Sequence, residues 1–278
     1  MNRPAPKISL VTCSFEQARF LDAAMRSVLN QAYPNLEYIV MDGGSKDGSR
    51  EIIARHSDRL EYWVSEPDEG QTDALVRGFG RASGDIFGWL CSDDLLLPGA
   101  LDLIGGYFQD HPDVAAVYGN CIWIDANGQP IRVKREMMFD RFVFLHDHNF
   151  VPQPSMFWRR ALYEAVGGLD IDFNLAMDGD LWDRFASCTR IAHLPYYLSC
   201  MRYYPEQKTR SMQARGREED LLIRRRSSRL ARLDRLQPAL RVMARLKRFI
   251  SKAAAGGYTA RVPKDILPWL EAHATPGS

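Results

Sequence analysis

The sequence predicts an α/β protein whose mostly parallel sheet carries helices on both faces, followed by a helical basic C-terminal extension. Two observations carry the first half of that statement. Short apolar runs of strand length recur through the first 113 residues, and a stretch of helical period or a turn-rich stretch separates each from the next. A third carries the extension: 14 Lys/Arg against 4 Asp/Glu over residues 210–252 of a chain whose formal net charge is +1. The remainder is therefore an acidic body bearing a basic tail.

The elements follow in order. ISLVTC (8–13) is the first strand. ARFLDAAMRSVLNQ (18–31) has helical spacing at Phe20, Leu21, Ala24, Met25, Val28 and Leu29, with Pro34 past its end. LEYIVMD (36–42) is the second strand, and GGSKDGS leads from it into a short helix, SREIIARH. LEYWVS (60–65), a helix over 71–82 and DIFGWLC (85–91) continue the rhythm. From residue 114 the texture changes. VAAVYG (114–119) and IWIDANGQPIRV (122–133) read as strands, the second with a turn at Asn127–Gly128. Helices are expected around 138–146, 159–166 and 177–187, and a strand in YYLSCMRYY (196–204). Residues 212–252 read as two basic helices broken near Pro238, and KDILPWLEAHA as a last short helix.

At 278 residues the chain has room for one sizeable α/β domain and an appendage. Five widely separated cysteines without a C-x-x-C argue against a disulfide framework or a zinc site and suit a reducing compartment. The N-terminal apolar run is too short for a signal peptide, and no stretch approaches the roughly 18 uninterrupted apolar residues of a membrane span. A cytoplasmic protein is expected, peripheral at most on the inner face of the membrane.

Ligands of open parallel sheets bind beyond the carboxyl ends of the strands. Asp42 ends the second strand and Asp93–Asp94 end the fourth, so both should face one crevice. Two adjacent carboxylates at the end of a buried strand repel one another and resist desolvation unless a cation offsets them. Mg²⁺ or Mn²⁺, held by one or two carboxylates and a substrate's phosphates, fits that need. By itself a D-D pair is better explained by a turn cap beside a solvated neighbour.

Six ordered stretches go further. V-T-C-S-F-E-Q-A-R-F-L, M-D-G-G-S-K-D-G-S (41–49), S-E-P-D-E-G-Q-T-D-A-L-V-R-G-F (65–79) and G-W-L-C-S-D-D-L-L-L-P-G-A (88–100) are followed by V-P-Q-P-S-M-F-W-R-R (151–160) with G-G-L-D (167–170), and by M-D-G-D-L-W-D-R-F (177–185). Together, over about residues 7–210, the chain resembles the family 2 glycosyltransferases of the GT-A type. The resemblance implies a GT-A nucleotide-binding sandwich over 1–210, with a donor-nucleotide half (1–113) and an acceptor half (114–210), and the extension over 211–278. It implies inverting transfer of a sugar from a nucleotide-diphospho-sugar donor to a glycan or lipid-linked sugar acceptor. Thr12, Ser14 and Asp42 would line the nucleoside pocket, Asp93 would contact the ribose and Asp94 would bind the metal. Asp68, Asp73 and Arg77 would border the donor, and Asp178 would be the catalytic base, with Asp180 its nearest rival.

The chain departs from the family pattern in places. Gly43 stands where many relatives carry a second aspartate, Met177 where a glutamate precedes the base, and Tyr204 where R-x-H-P has its histidine. Lys208 and Arg210 are candidates to close over a pyrophosphate. Trp182 is expected in the core, and His146 and His148 in a loop or on the surface. The loop after the first strand lacks the glycines of a sugar nucleotidyltransferase, and no G-x-G-x-x-G marks a dinucleotide enzyme. A non-catalytic nucleotide-sugar binder or membrane scaffold is the alternative from another class. For the basic tail, packing on the acidic body or on a second copy competes with contact between residues 239–252 and an anionic membrane; no nucleic-acid-binding motif accompanies it.

Overall fold

The computed structural model describes residues 4–228, 230 and 233–274. Four parallel strands form its first half: β1 (Ile8–Ser14), β2 (Leu36–Asp42), β3 (Tyr62–Ser65) and β4 (Ile86–Cys91), in the order β3-β2-β1-β4. The sheet continues through β8 (Met156–Arg159), antiparallel to β4, then β6 (Ala116–Ile124) and β9 (Ile191–Arg202), which are parallel to each other. A two-residue strand, β5 (Leu95–Leu96), closes the far edge on β9, and β7 (Pro130–Lys134) forms a hairpin with β6.

Alternate residues of the same strands feed two cores. Val11, Ile39, Met41, Phe87 and Trp89 point to one face, where α3 (Gln71–Phe79), α5 (Arg141–His146) and α7 (Met177–Cys188) pack. Leu10, Tyr38, Val40, Ile86 and Leu90 point to the other, against α1 (Ala18–Leu29), α2 (Ser49–Arg55) and α4 (Ala100–Asp110). Burial on both faces is why these strands read as continuous apolar runs. Trp182 is fully buried and stacked on Trp89 with ring centroids 5.4 Å apart, a core residue as expected.

Two expectations need revision. Residues 116–119 and 122–124 belong to one long strand, β6, and the hairpin turn at Asn127–Gly128 follows it. The two basic helices, α9 (Gln213–Ser227) and α10 (Gln237–Ala254), are broken beside Pro238 as expected. Pro238 lies in the first turn of α10, where a missing N–H leaves no helical bond unmade. His146 is buried at the end of α5 rather than exposed.

The remaining helices are α6 (Arg160–Ala165), the short α8 (Lys208–Ser211) and α11 (Ile266–His273). The tail does pack on the acidic body. From α10, Arg245 and Arg248 pair with Asp147, Lys247 with Asp140 and Lys252 with Glu136. From α9, Arg226 pairs with Asp170 and Asp180.

Candidate active site

The registers of β1 with β2 and β4 set Ser14 beside Asp42 and Cys13 beside Cys91. The turn carrying Asp93 and Asp94 therefore leaves the sheet two strand spacings from Asp42, roughly 10 Å by ordinary strand geometry. One crevice at the carboxyl edge serves both groups.

On the β4 side, ligand atoms of Cys91, Asp93 and Asp94 all lie within 4.8 Å of one another. A late segment of the chain holds this turn. Register shifts along β6 carry the end of β9 across to β5, and that places Arg202 and Tyr204 against the doublet. The Arg202 amide donates to Asp94 Oδ1 at 2.9 Å, its Nε donates to the Asp93 carbonyl at 2.9 Å, and the Tyr204 hydroxyl donates to Asp93 Oδ2 at 2.9 Å. The rest of the Arg202 guanidinium is spent on the carbonyls of Asp125, Ala126 and Ala274. Burial raises the Asp93 carboxyl against the lowering effect of Tyr204. Burial, then the neighbouring Asp93 charge, raises Asp94 further. A hydrogen bond with Cys13, and then burial, push the Cys91 thiol up. Gln71 Nε2 lies 3.3 Å from the same sulfur and Gln153 donates to the Trp89 carbonyl at 2.8 Å, so the V-P-Q-P stretch of residues 151–154 reaches the carboxyl end of β4.

On the β2 side, Asp42 accepts from the Ser45 amide (2.9 Å), the Ser45 hydroxyl (2.6 Å) and Ser65 (2.7 Å). Gly43 has a steric reason: a Cβ there would lie 2.9 Å from Asp68 Oδ2 and 3.1 Å from the Phe15 ring. The Asp68 carboxylate thus occupies the space that a side chain at 43 would enter. Burial raises the Asp68 carboxyl, with the Asp73 and Asp42 charges adding to it against the Gly70 amide and Arg77. Arg77 lies 3.7 Å from Asp73 and 3.3 Å from Glu66.

Ser14 is buried with its hydroxyl unpartnered, whereas the Thr12 hydroxyl, one strand repeat deeper, is taken up by Tyr38 at 2.9 Å within the core. The structure therefore brings Ser14, Asp42, Asp68, Asp73 and Arg77 to one side of the crevice and Asp93 and Asp94 to the other, and it leaves Thr12 in the core.

Asp178 opens α7. Thr72 of α3 donates to the Phe173 carbonyl at 2.6 Å, which ties the loop before α7 to α3. Asn149 Nδ2 donates to Asp178 Oδ2 at 3.0 Å and the Gly179 amide to Oδ1 at 2.6 Å. Burial drives the Asp178 carboxyl up to about 6, and the charge of Asp220 on α9 adds to it against those two donors. Asp180 is occupied otherwise, paired with Arg184 at 2.7 Å and with Arg226. A cavity of about 660 Å³ opens beside Asp170, Asp180, Arg184 and Arg226, and Asp42, Asp93, Asp94 and Asp178 are not among its lining residues.

Asn149, Glu219 and Asp220 had not been foreseen. Glu219 accepts from the amides of Asn174, Leu175 and Ala176, the turn that launches α7, and is bound by Arg215 at 2.9 Å. Burial opposes its ionisation, but these amides and Arg215 hold its carboxyl below the ordinary range. Lys208 sits on the same loop, donating to the Asn174 carbonyl at 3.0 Å, and Arg210 lies over the Tyr203 ring. His148 is bonded to Asp147, and neither it nor His146 joins a metal-type cluster among the described residues.

A mostly parallel sheet wrapped by helices, with a paired acid at the end of its fourth strand, is the GT-A class of fold. Solved structures agree. Staphylococcus aureus TarS 1–349 in complex with UDP-GlcNAc matches with a TM-score of 0.65 at 16% identity, over 96% of this chain and 79% of that one. A Pyrobaculum calidifontis mannosyltransferase in complex with GDP-Man and Mn²⁺ matches with a TM-score of 0.61 at 20% identity, over 96% and 79%. The chain belongs to glycosyl transferase family 2, whose model matches residues 9–167. An uncharacterised glycosyltransferase of Mycobacterium tuberculosis is 32% identical over 180 residues, 63% of this chain and 66% of that protein. A GalNAc(5)-diNAcBac-PP-undecaprenol beta-1,3-glucosyltransferase of Campylobacter jejuni is 31% identical over 121 residues, 42% and 38%. The matched region spans less than two thirds of the length of these curated relatives.

Proposed function

We propose that the chain is an inverting glycosyltransferase that moves a sugar from a nucleotide-diphospho-sugar to an acceptor hydroxyl, in cell-surface polysaccharide or lipid-linked glycan synthesis on the cytoplasmic side of a membrane. The observation that carries the reading is the convergence of Cys91, Asp93 and Asp94 within 4.8 Å at the carboxyl edge of the sheet, in a chain of this family. The donor set fits a divalent cation: a half-buried and a buried carboxyl group, both raised chiefly by desolvation, are what a cation returns to the ionised state. Asp94, with Asp93, would hold Mg²⁺ or Mn²⁺, and the bound ion supplies Lewis-acid neutralisation of the diphosphate leaving group.

The protein's own groups do the rest. Asp178, fixed by Asn149, takes the proton from the acceptor hydroxyl as the glycosidic bond forms. Its burial lifts it to about 6, a better match to that task near neutral pH than an ordinary carboxylate. Ser14, Asp42 and Asp68 hold the nucleoside, Asp68 standing where Gly43 leaves room. Asp73 and Arg77 border the donor. The lipid-linked acceptor class is supported by the name of the Campylobacter relative, and the donor class by the complexes of the two structural neighbours.

The test is nucleoside diphosphate release from a panel of UDP-, GDP- and dTDP-sugars with Mn²⁺ or EDTA, alongside Asp94→Asn and Asp178→Asn. Metal-dependent release from one donor, lost in both variants, is the expected result. Tight donor binding without release, even with crude glycolipid added, would convert the reading to a nucleotide-sugar-binding protein. Binding of no donor at all would refute the site.

A further inference from the structure

We propose that α10 is an interfacial helix that lays its apolar face on an anionic bilayer. The helix shows two unlike faces. Leu240, Ala244 and Lys252 are buried against the body. On the opposite side Val242, Met243, Leu246, Phe249 and Ile250 are each 57–65% exposed. Their spacing of three and four residues makes one continuous stripe. Phe249 is extended by Tyr258, its ring 5.3 Å away, and Leu230, Leu233 and Leu236 are exposed just before the helix. Scattered exposed apolar residues are ordinary; a stripe of five on one helix marks a contact surface.

Charge decides the occupant. Residues 237–254 contain five Lys/Arg and no Asp or Glu. Four of those cations meet only three body carboxylates, Asp140, Asp147 and Glu136, and Glu136 is shared with Lys134. Positive charge is left in excess, with Arg241 and Arg245 bordering the stripe on one side and Lys247 on the other. A second copy of the same face would set cations against cations with no carboxylate between them. Anionic lipid headgroups complement it. No helix among the described residues is long and apolar enough to cross a membrane, so α10 would lie in the interface rather than span it. Its inner face is bonded to Asp147, two residues before the Asn149 that holds Asp178, so docking would fix the acceptor side of the crevice relative to the lipid surface.

The surface proposal does not depend on the transferase reading, and its test uses no sugar. The full chain is sedimented with vesicles of phosphatidylcholine alone and of phosphatidylcholine with phosphatidylglycerol. Wild type is expected to partition onto the anionic vesicles and to weaken in high salt. The double variant Leu246→Glu/Phe249→Glu, both positions exposed, should lose about tenfold or more of that binding at unchanged thermal stability. Arg241→Glu should lose a smaller part. The proposal is overturned if wild type leaves anionic vesicles in the supernatant, or if the double variant binds as wild type does. A wild-type dimer in sedimentation velocity that the double variant converts to monomer would equally overturn it, in favour of a second copy.

Discussion

Replacing Asp178 by Asn should stabilise the folded protein while it abolishes turnover. The folded carboxyl ionises at about 6 against an ordinary 3.8, so the folded state holds its proton more tightly than the unfolded chain does. The wild type consequently loses stability as pH rises from about 4 to about 6, and the penalty is complete above that. At about 1.4 kcal/mol per pH unit, and allowing for partial exposure, the ionised group costs about 2–3 kcal/mol at pH 8. Asparagine, like the protonated acid, keeps one acceptor oxygen, enough for the Gly179 amide but not also for Asn149 Nδ2, and it carries no charge. Urea unfolding at pH 8 should therefore show Asp178→Asn more stable by about 2–3 kcal/mol, shrinking to near zero at pH 4. The same ionisation should shape the rate: about one tenth of the base is ionised at pH 5 and about nine tenths at pH 7, so turnover climbs about tenfold between them. Asp220→Asn, which removes the neighbouring charge, should move that limb to lower pH. Equal stability of wild type and Asp178→Asn at pH 8, or a limb indifferent to Asp220, would refute the account of the base.

Glu219→Ala leaves three amides at the start of α7 without their acceptor and should cost about 2–4 kcal/mol in denaturant unfolding. Because that carboxyl is held low, its contribution is present above its unfolded pKa and lost as pH falls through the lower folded value, which a pH series of melting curves would report. Gly43→Ala pushes the Asp68 carboxylate aside; calorimetry should show donor binding weakened by about tenfold with little change in stability. Arg202→Met strands the carbonyls of residues 93, 125, 126 and 274 and should destabilise by about 3–5 kcal/mol, measured by thermal unfolding.

The strands of the first half were legible because β1, β2 and β4 are buried on both faces and so run as continuous apolar stretches, although β4 finds its partner β1 far back in the chain. The Met156–Arg159 strand was not, though it lies at the centre of the sheet. Four residues carry no period, and its partners, residues 86–88 and 116–118, are far away in the chain. The helix over 100–110 and the two-residue strand before it escaped for related reasons: the first lies in a stretch read only for its motif, the second is too short to show a pattern. In the site, the carboxylates were visible as motif positions, but their partners were not. Asn149 meets Asp178 across 29 residues and Glu219 meets Ala176 across 43, and no local pattern encodes such pairings. Cys91 was within reach, ending an apolar run two residues before the doublet. Thr12 and Ser14 share the Leu10 side of β1 by strand alternation, but only Ser14 stands at the strand end; Thr12, one repeat deeper, is held in the core by Tyr38.

The carboxylate of Glu219 on three amides of the α7 turn also bears on how such a chain can change over time. An appendage that only tethered the protein could be exchanged between relatives as a unit. Here the segment beyond residue 210 supplies Glu219 to the loop behind Asp178 and Asp220 to its electrostatics. A chimera with a borrowed tail would inherit a new address and a retuned base in one step, and either change would select for compensation in the other.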